Sequence, residues 1–129
     1  MKRRLILVVD DEPAITMTSS AILKMHGYET ATADDGDVAL DMARRLHPDL
    51  VLSDVVMPRM NGVELAIALT RELPATRILL FSGNAATTDL IETARLTGHD
   101  FRLLAKPVPL DELLGAVRDS LAGDSAAAA

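Results

Sequence analysis

Cysteine and tryptophan are absent, aromatic residues make up 2% of the chain, and histidine occurs three times. Without cysteine, disulfides and thiolate metal sites are excluded, and a reducing cytoplasm is permitted. His26, His47 and His99 are widely scattered, and no pair has the i, i+4 spacing of a helical zinc motif, so they read as surface or helix-end residues. No Gly-rich stretch ends in Gly-Lys-Ser/Thr, which removes a phosphate-binding P-loop. Long apolar runs are also missing. Leu5-Ile6-Leu7-Val8-Val9 follows Lys2-Arg3-Arg4 as in a signal peptide, but it is too short and ends in Asp10-Asp11-Glu12, so it reads as a strand. Positive charge is in deficit, with 13 basic against 19 acidic residues and a formal charge of -6. That balance argues against nonspecific affinity for nucleic acid or an anionic membrane. A cytoplasmic protein that touches neither nucleic acid nor membrane directly is the expectation.

What is present suffices for a full core: 129 residues, 49% of them hydrophobic, fit one compact domain over residues 1–122, with 123–129 as a flexible Ala-rich tail. Leu5 to Val9 is continuously apolar, as in a strand covered on both faces. Asp10-Asp11-Glu12-Pro13 opens a helix whose inner face is expected at Ala14, Ile15, Thr18, Ile22 and Met25, with Gly27 as its stop. Tyr28 to Ala33 is a more polar strand suited to a sheet edge. Asp34-Asp35-Gly36 caps the second helix, with Val38, Ala39, Met42, Ala43 and Leu46 as its buried stripe, and His47-Pro48-Asp49 breaks it.

The third strand, Leu50-Val51-Leu52-Ser53-Asp54, is stopped by Val55-Val56-Met57-Pro58, because no regular strand continues past the proline. Asn61-Gly62 starts a helix carrying Val63, Ala66, Ile67 and Leu69. Ile78 to Phe81 is a fourth buried strand, ending at Ser82-Gly83-Asn84. A helix from about Ala85 to Leu96 turns Leu90, Ile91, Ala94 and Leu96 inward and stops at Gly98. Phe101 to Ala105 makes a fifth strand before Lys106-Pro107. Pro109 starts the last helix, with Leu110, Leu113, Leu114, Val117 and Leu121 at helical spacing.

Five strands alternating with five helices predict an α/β protein, a flavodoxin-like three-layer sandwich around a parallel sheet in the order 2-1-3-4-5. In that order Asp10 and Asp11 lie beside Asp54, and Ser82 and Lys106 arrive at the same carboxyl edge, where such sheets bind ligands. Singly, each residue also reads as a cap, turn or solvated loop residue. Together they form a repelling group of carboxylates that a purely structural cluster would gain little from. Hard oxygen donors without His or Cys suit Mg²⁺, which commonly pairs with phosphate. Asp54 would then be the nucleophile that forms an aspartyl phosphate, with Lys106 and Ser82 holding the phosphoryl oxygens.

Val8-Val9-Asp10-Asp11-Glu12-Pro13, Pro48-Asp49 through Met57-Pro58 with Asn61-Gly62, Ser82-Gly83 and Lys106-Pro107 together resemble the receiver domain of bacterial two-component response regulators. The resemblance runs from Leu5 to about Leu121. It implies a signalling switch rather than an enzyme. A histidine kinase or phosphotransfer protein would donate its phosphohistidine phosphoryl group to Asp54. Asp11, Asp54 and the backbone carbonyl of Val56 would ligate Mg²⁺, with Asp10 acting largely through water. Ser82 would move toward the phosphoryl group and Lys106 would pair with it. The resemblance further implies a cis Lys106–Pro107 peptide, an unidentified downstream protein partner, and a homodimer through the fourth helix, fifth strand and fifth helix. No recognisable effector domain follows Leu121, so a stand-alone receiver, or one cut from a longer chain, is expected.

Two other readings stay open. A degenerate, phosphorylation-independent interaction module would need none of the acids, which are all present. A phosphatase of the haloacid-dehalogenase type normally has a second Asp two residues after the nucleophile, and here that position is Val56. One departure from the receiver pattern stands out: the position three residues before the strand-five lysine, usually Tyr or Phe, is Leu103. Phe101 shares its strand parity but lies roughly 6.6 Å farther from the carboxyl edge at about 3.3 Å per residue. Phe101 is therefore expected to pack structurally, with no aromatic rotamer switch.

Overall fold

The computed structural model describes residues 3–83, 87–99 and 101–128. Its sheet has five parallel strands in the order β2-β1-β3-β4-β5. They are β1 (Leu5–Val9), β2 (Glu29–Ala33), β3 (Leu50–Asp54), β4 (Arg77–Ser82) and β5 (Arg102–Ala105). The helices α1 (Pro13–Met25), α2 (Gly36–Leu46), α3 (Gly62–Glu72), α4 (Thr87–Leu96) and α5 (Leu110–Ala128) alternate with them. The predicted three-layer sandwich and strand order are both observed. None of these helices, among the described residues, is long and apolar enough to cross a membrane.

β3 lies at the centre because its residues cannot tolerate water on either side. Leu50, Val51 and Leu52 are fully buried, each leucine stabilising the fold by roughly 1.5–3 kcal/mol on transfer from water. Strand alternation sorts these side chains into two layers. Ile6, Val8, Leu50, Leu52 and Leu79 face α1 and α5 with Leu113, Val117 and Leu121. Leu7, Val9 and Val51 face α2 and α3 with Ala39, Ala43, Leu65 and Leu69. The edge strands are less apolar, β2 because of its threonines and Glu29, β5 because only Leu104 of its residues is buried.

Several helix faces differ from the sequence expectation. On α1 the buried residues are Thr16, Ser20 and Leu23, while Ile15 is exposed and Met25 is 82% exposed. Hydroxyls can occupy that inner face because they find local partners: Thr16 Oγ1 donates to the Pro13 carbonyl, and Ser20 Oγ meets Thr30 Oγ1 at 2.5 Å. On α2, Val38 and Leu46 are exposed and Leu40 is buried, and on α3 Leu65 joins the core. Leu96 of α4 and Leu110 of α5 are exposed, whereas Leu90, Ile91 and Ala94 of α4 face the core as expected, and Leu113, Ala116 and Val117 do so on α5. β5 starts at Arg102, one residue later than expected, and α5 continues through the alanines to Ala128, in keeping with alanine's high helix propensity. Residues 84–86, where the fourth helix was expected to begin, lie outside the described residues.

Caps and turns are set by identifiable side chains. Asp35 caps α2 by accepting from Val38 N at 2.8 Å. Asn61 and Glu64 form a reciprocal capping box on α3. Gly27, at φ 93°, lets the chain leave α1 in the left-handed region. The Lys106–Pro107 peptide is cis, as the resemblance implied.

Candidate functional site

Parallel strands end together, so the residues that follow them share one edge. β1 pairs with β3 through Val9 and Ser53, which sets Asp10 and Asp54 side by side just beyond. β3 pairs with β4 through Asp54 and Phe81, and β4 with β5 through Ser82 and Ala105. Ser82 therefore stands one residue past the level of Asp54, and the Lys106 amide donates to the Ser82 carbonyl at 2.8 Å. Val55 N bonds the Phe81 carbonyl at 3.0 Å, which keeps the strand ends zipped as β3 turns away.

Asp10, Asp11 and Asp54 each offer a carboxylate oxygen within 4.8 Å of the others. Lys106 Nζ lies 3.3 Å from Asp54 Oδ2 and 3.5 Å from Asp10 Oδ2, one cation facing three acids. Asp10 is only 2% exposed. Its Oδ1 accepts from Glu12 N at 3.0 Å, but its buried Oδ2 accepts no hydrogen bond from the described residues. Its ion-pair partner is the Lys106 ammonium 3.5 Å away, and a buried oxygen with no closer donor in an acid cluster suits a hard cation.

The electrostatics follow from this crowding. Burial pushes the Asp10 carboxyl up from its ordinary value, and the neighbouring Asp54 and Asp11 charges add to the rise against the opposing pull of Glu12 N and Lys106. For Lys106, burial is the largest single influence and disfavours the ammonium. Asp54 and Asp10 together outweigh it, so the amine is held above its ordinary value and stays charged.

The structure thus brings together Asp10, Asp11, Asp54 and Lys106, and sets Ser82 at the same edge. Val56 follows on the β3–α3 loop and is 46% exposed. Gly62 makes that loop compact: a Cβ there would lie 2.2 Å from the Asp54 carbonyl oxygen, and Gly62 N donates to the Val55 carbonyl at 2.7 Å. Arg59 was not singled out from the sequence, although it holds the same loop to α2 (φ 66°, paired with Asp35). Nothing in its local sequence marks it, because a residue after proline with positive φ is normally signalled by Gly or Asn. Phe101 packs against the cluster formed by Val55, Val63, Ala66, Leu80 and Ala94 and stacks on His99 with centroids 5.9 Å apart, while Leu103 is 38% exposed.

This fold and edge define a class of signalling domain, and comparison with known proteins agrees. The family model "Response regulator receiver domain" matches residues 6–118. The chain is 36% identical over 109 residues to the probable transcriptional regulatory protein TcrX of Mycobacterium tuberculosis, covering 84% of this chain and 46% of that one. It is 34% identical over 120 residues to Protein PilH of Pseudomonas aeruginosa, covering 92% and 98%. The signal receiver domain of an HD domain-containing protein from Pseudomonas fluorescens Pf-5 superposes with a TM-score of 0.88 at 30% identity, covering 98% and 92%. The chain belongs to the response regulator receiver family, whose members act in two-component signal transduction as phosphorylation switches. It spans about half the length of TcrX and nearly all of PilH.

Proposed function

We propose that Asp54 accepts a phosphoryl group from the phosphohistidine of a histidine kinase or phosphotransfer protein, and that the acyl phosphate changes which proteins this domain contacts. The observation that carries this reading is the meeting of three carboxylates and one ammonium at the end of β3, with a buried Asp10 oxygen left without a hydrogen bond. In the transfer the phosphorus–nitrogen bond of the donor breaks as an Asp54 oxygen bonds to phosphorus, and the imidazole departs with the electron pair. Asp54 attacks as a carboxylate and needs no base. Lys106, already 3.3 Å away, neutralises charge gathering on the phosphoryl oxygens, and Ser82 offers its hydroxyl from the neighbouring strand.

The donor set fits Mg²⁺, which Asp11, Asp54 and the Val56 carbonyl would hold, with Asp10 beside them. When bound, that ion offsets repulsion between the carboxylates and the incoming phosphoryl group. Apart from it, Lys106 orients the Asp54 carboxylate, and the buried strand end limits access of competing water. The receiver unit we assign is residues 1–122, leaving the alanine-rich 123–129 outside that assignment.

Beside the acids, between α1 and the β5–α5 segment, runs a groove of about 550 Å³ lined by Ile15, Ile22, Val108, Leu110 and Leu113 and reaching Lys106. It offers an apolar surface for the donor protein next to the reacting carboxylate. A downstream protein, or a second copy through α4, β5 and α5, would read the switch in the cytoplasm.

Incubation with a radiolabelled phosphodonor, with and without Mg²⁺, tests the reading. Stable Mg²⁺-dependent, Asp54-dependent label is expected. No label would favour a phosphorylation-independent interaction module, and multiple-turnover release of phosphate would favour a phosphatase.

A further inference from the structure

The β3–α3 loop is fastened to α2 by a contact that lies outside the acid cluster. Arg59 occupies the left-handed region at φ 66°, where a β-carbon is disfavoured and glycine is the default. Its Nη2 donates to Asp35 Oδ2, and its Nε lies 3.9 Å from Asp37 Oδ2. Asp35 is the N-cap of α2, so a single carboxylate serves the helix start and the arginine together. The next residue, Met60, leans on Gly36, where an added Cβ would sit 2.8 Å from Met60 Cβ. Met57 and Met60 both join the α2–α3 side of the core. From Met57 to Gly62 the loop is therefore attached on one side to α2 and on the other to the end of β3, and Val56 lies just ahead of that stretch.

A fold-stability role does not account for an arginine at this position. The Arg59 side chain is 68% exposed, so solvent screening keeps the pair's contribution to stability small, and glycine would suit the backbone better. What a charge-assisted tether adds is orientation. We propose that Arg59 is a positioning residue: its pairing with Asp35 and Asp37 holds the loop so that the Val56 carbonyl stays aligned with Asp11 and Asp54. This rests on the reading of those three residues as a Mg²⁺ site.

The sign of one effect separates positioning from bare electrostatics. By charge alone, removing a cation near the acids tightens Mg²⁺ binding; by loss of alignment, it loosens it. For Arg59→Gly, calorimetric Mg²⁺ titration at low ionic strength is expected to give about threefold weaker binding, the scale of one exposed ion pair, with melting temperature unchanged or raised. Arg59→Lys should recover part of the loss. The deficit relative to the native chain should shrink toward none at about 1 M salt, where the Debye length falls to roughly 3 Å. Amide hydrogen exchange supplies a readout independent of the ion: Met60, Asn61 and Gly62 are expected to exchange faster in Arg59→Gly and in Asp35→Asn/Asp37→Asn, in which asparagine keeps the α2 cap. Equal or tighter Mg²⁺ binding by Arg59→Gly, or a deficit that persists at high salt, overturns the proposal. Failure of the native chain to bind Mg²⁺ overturns the metal reading and the alignment proposal with it. In that event faster exchange would still separate a real tether from an absent one, so the two failures are distinguishable.

Discussion

β3 is preceded by one aspartate and ends in another, and they live under opposite conditions. Asp49, before the strand, is saturated with partners. Its Oδ2 accepts from Leu5 N at 2.8 Å, its amide donates to the Leu5 carbonyl at 2.9 Å, and its carbonyl accepts from Arg77 N at 2.9 Å. Arg4 lies 3.7 Å from its other oxygen. This acid stitches β1, β3 and β4 together. Asp54, at the far end, meets two further carboxylates and shares one ammonium with Asp10. The same residue type is tied into the sheet where a backbone donor meets its carboxylate, and on the proposed function it is the phosphoacceptor where other acids and one ammonium surround it. Backbone partners are thus satisfied around the carboxylate at one end of the strand, and like charges are gathered at the other.

The largest effect is expected at Gly62. Replacing it with alanine forces a methyl group against the Asp54 carbonyl oxygen and the Val55 Cα, both backbone atoms, at 2.2 and 2.8 Å. A loss of about 3 kcal/mol in urea unfolding is expected, since neither atom can give way without moving the strand end. Asp49→Ala comes next, at about 1.5 kcal/mol, because it leaves the Leu5 amide without its partner. Its phosphorylation should be unaltered, which a phosphodonor assay on the folded protein would check.

Asp10→Asn sharpens the contrast in the other direction and should stabilise the metal-free protein by roughly 1 kcal/mol at neutral pH, by removing a buried, poorly partnered charge. The sign follows from linkage. Burial raises the folded pKa above the ordinary value of 3.8, so the folded state holds the proton more tightly, and stability falls as pH rises from 3.8 through the folded value. The gain from the variant should therefore be present at neutral pH and vanish in acid, as followed by denaturation at a series of pH values. Saturating Mg²⁺ should stabilise the native chain more than this variant. The smallest effect is expected at Phe101. Phe101→Leu should cost about 0.5 kcal/mol and leave the phosphorylation rate unchanged, because the ring is a packing element half-way up the α3–α4 side of the core.

Much of this was legible in the residues. β1 and β3 were expected with their observed bounds because doubly covered strands are continuous apolar runs ended by acids. The acids, Ser82 and Lys106 were legible because each lies at or just past such a run, and topology then brings them to one edge. The inner face of α1 was not. Periodicity weights apolar side chains, whereas α1 turns Thr16 and Ser20 inward on local hydrogen bonds and leaves Ile15 and Met17 outside. The Arg59 tether was illegible for a different reason: it depends on a backbone angle and on two aspartates from another helix.

The most direct measurement is intact-mass analysis after exposure to a small acyl phosphate and Mg²⁺, carried out in parallel on the native chain, Asp49→Asn and Asp54→Asn. One added phosphoryl group on the native chain and on Asp49→Asn, with none on a folded Asp54→Asn, is the expected result. Equal phosphorylation of Asp54→Asn, or its loss in a folded Asp49→Asn alone, would contradict the division of roles between the two ends of β3.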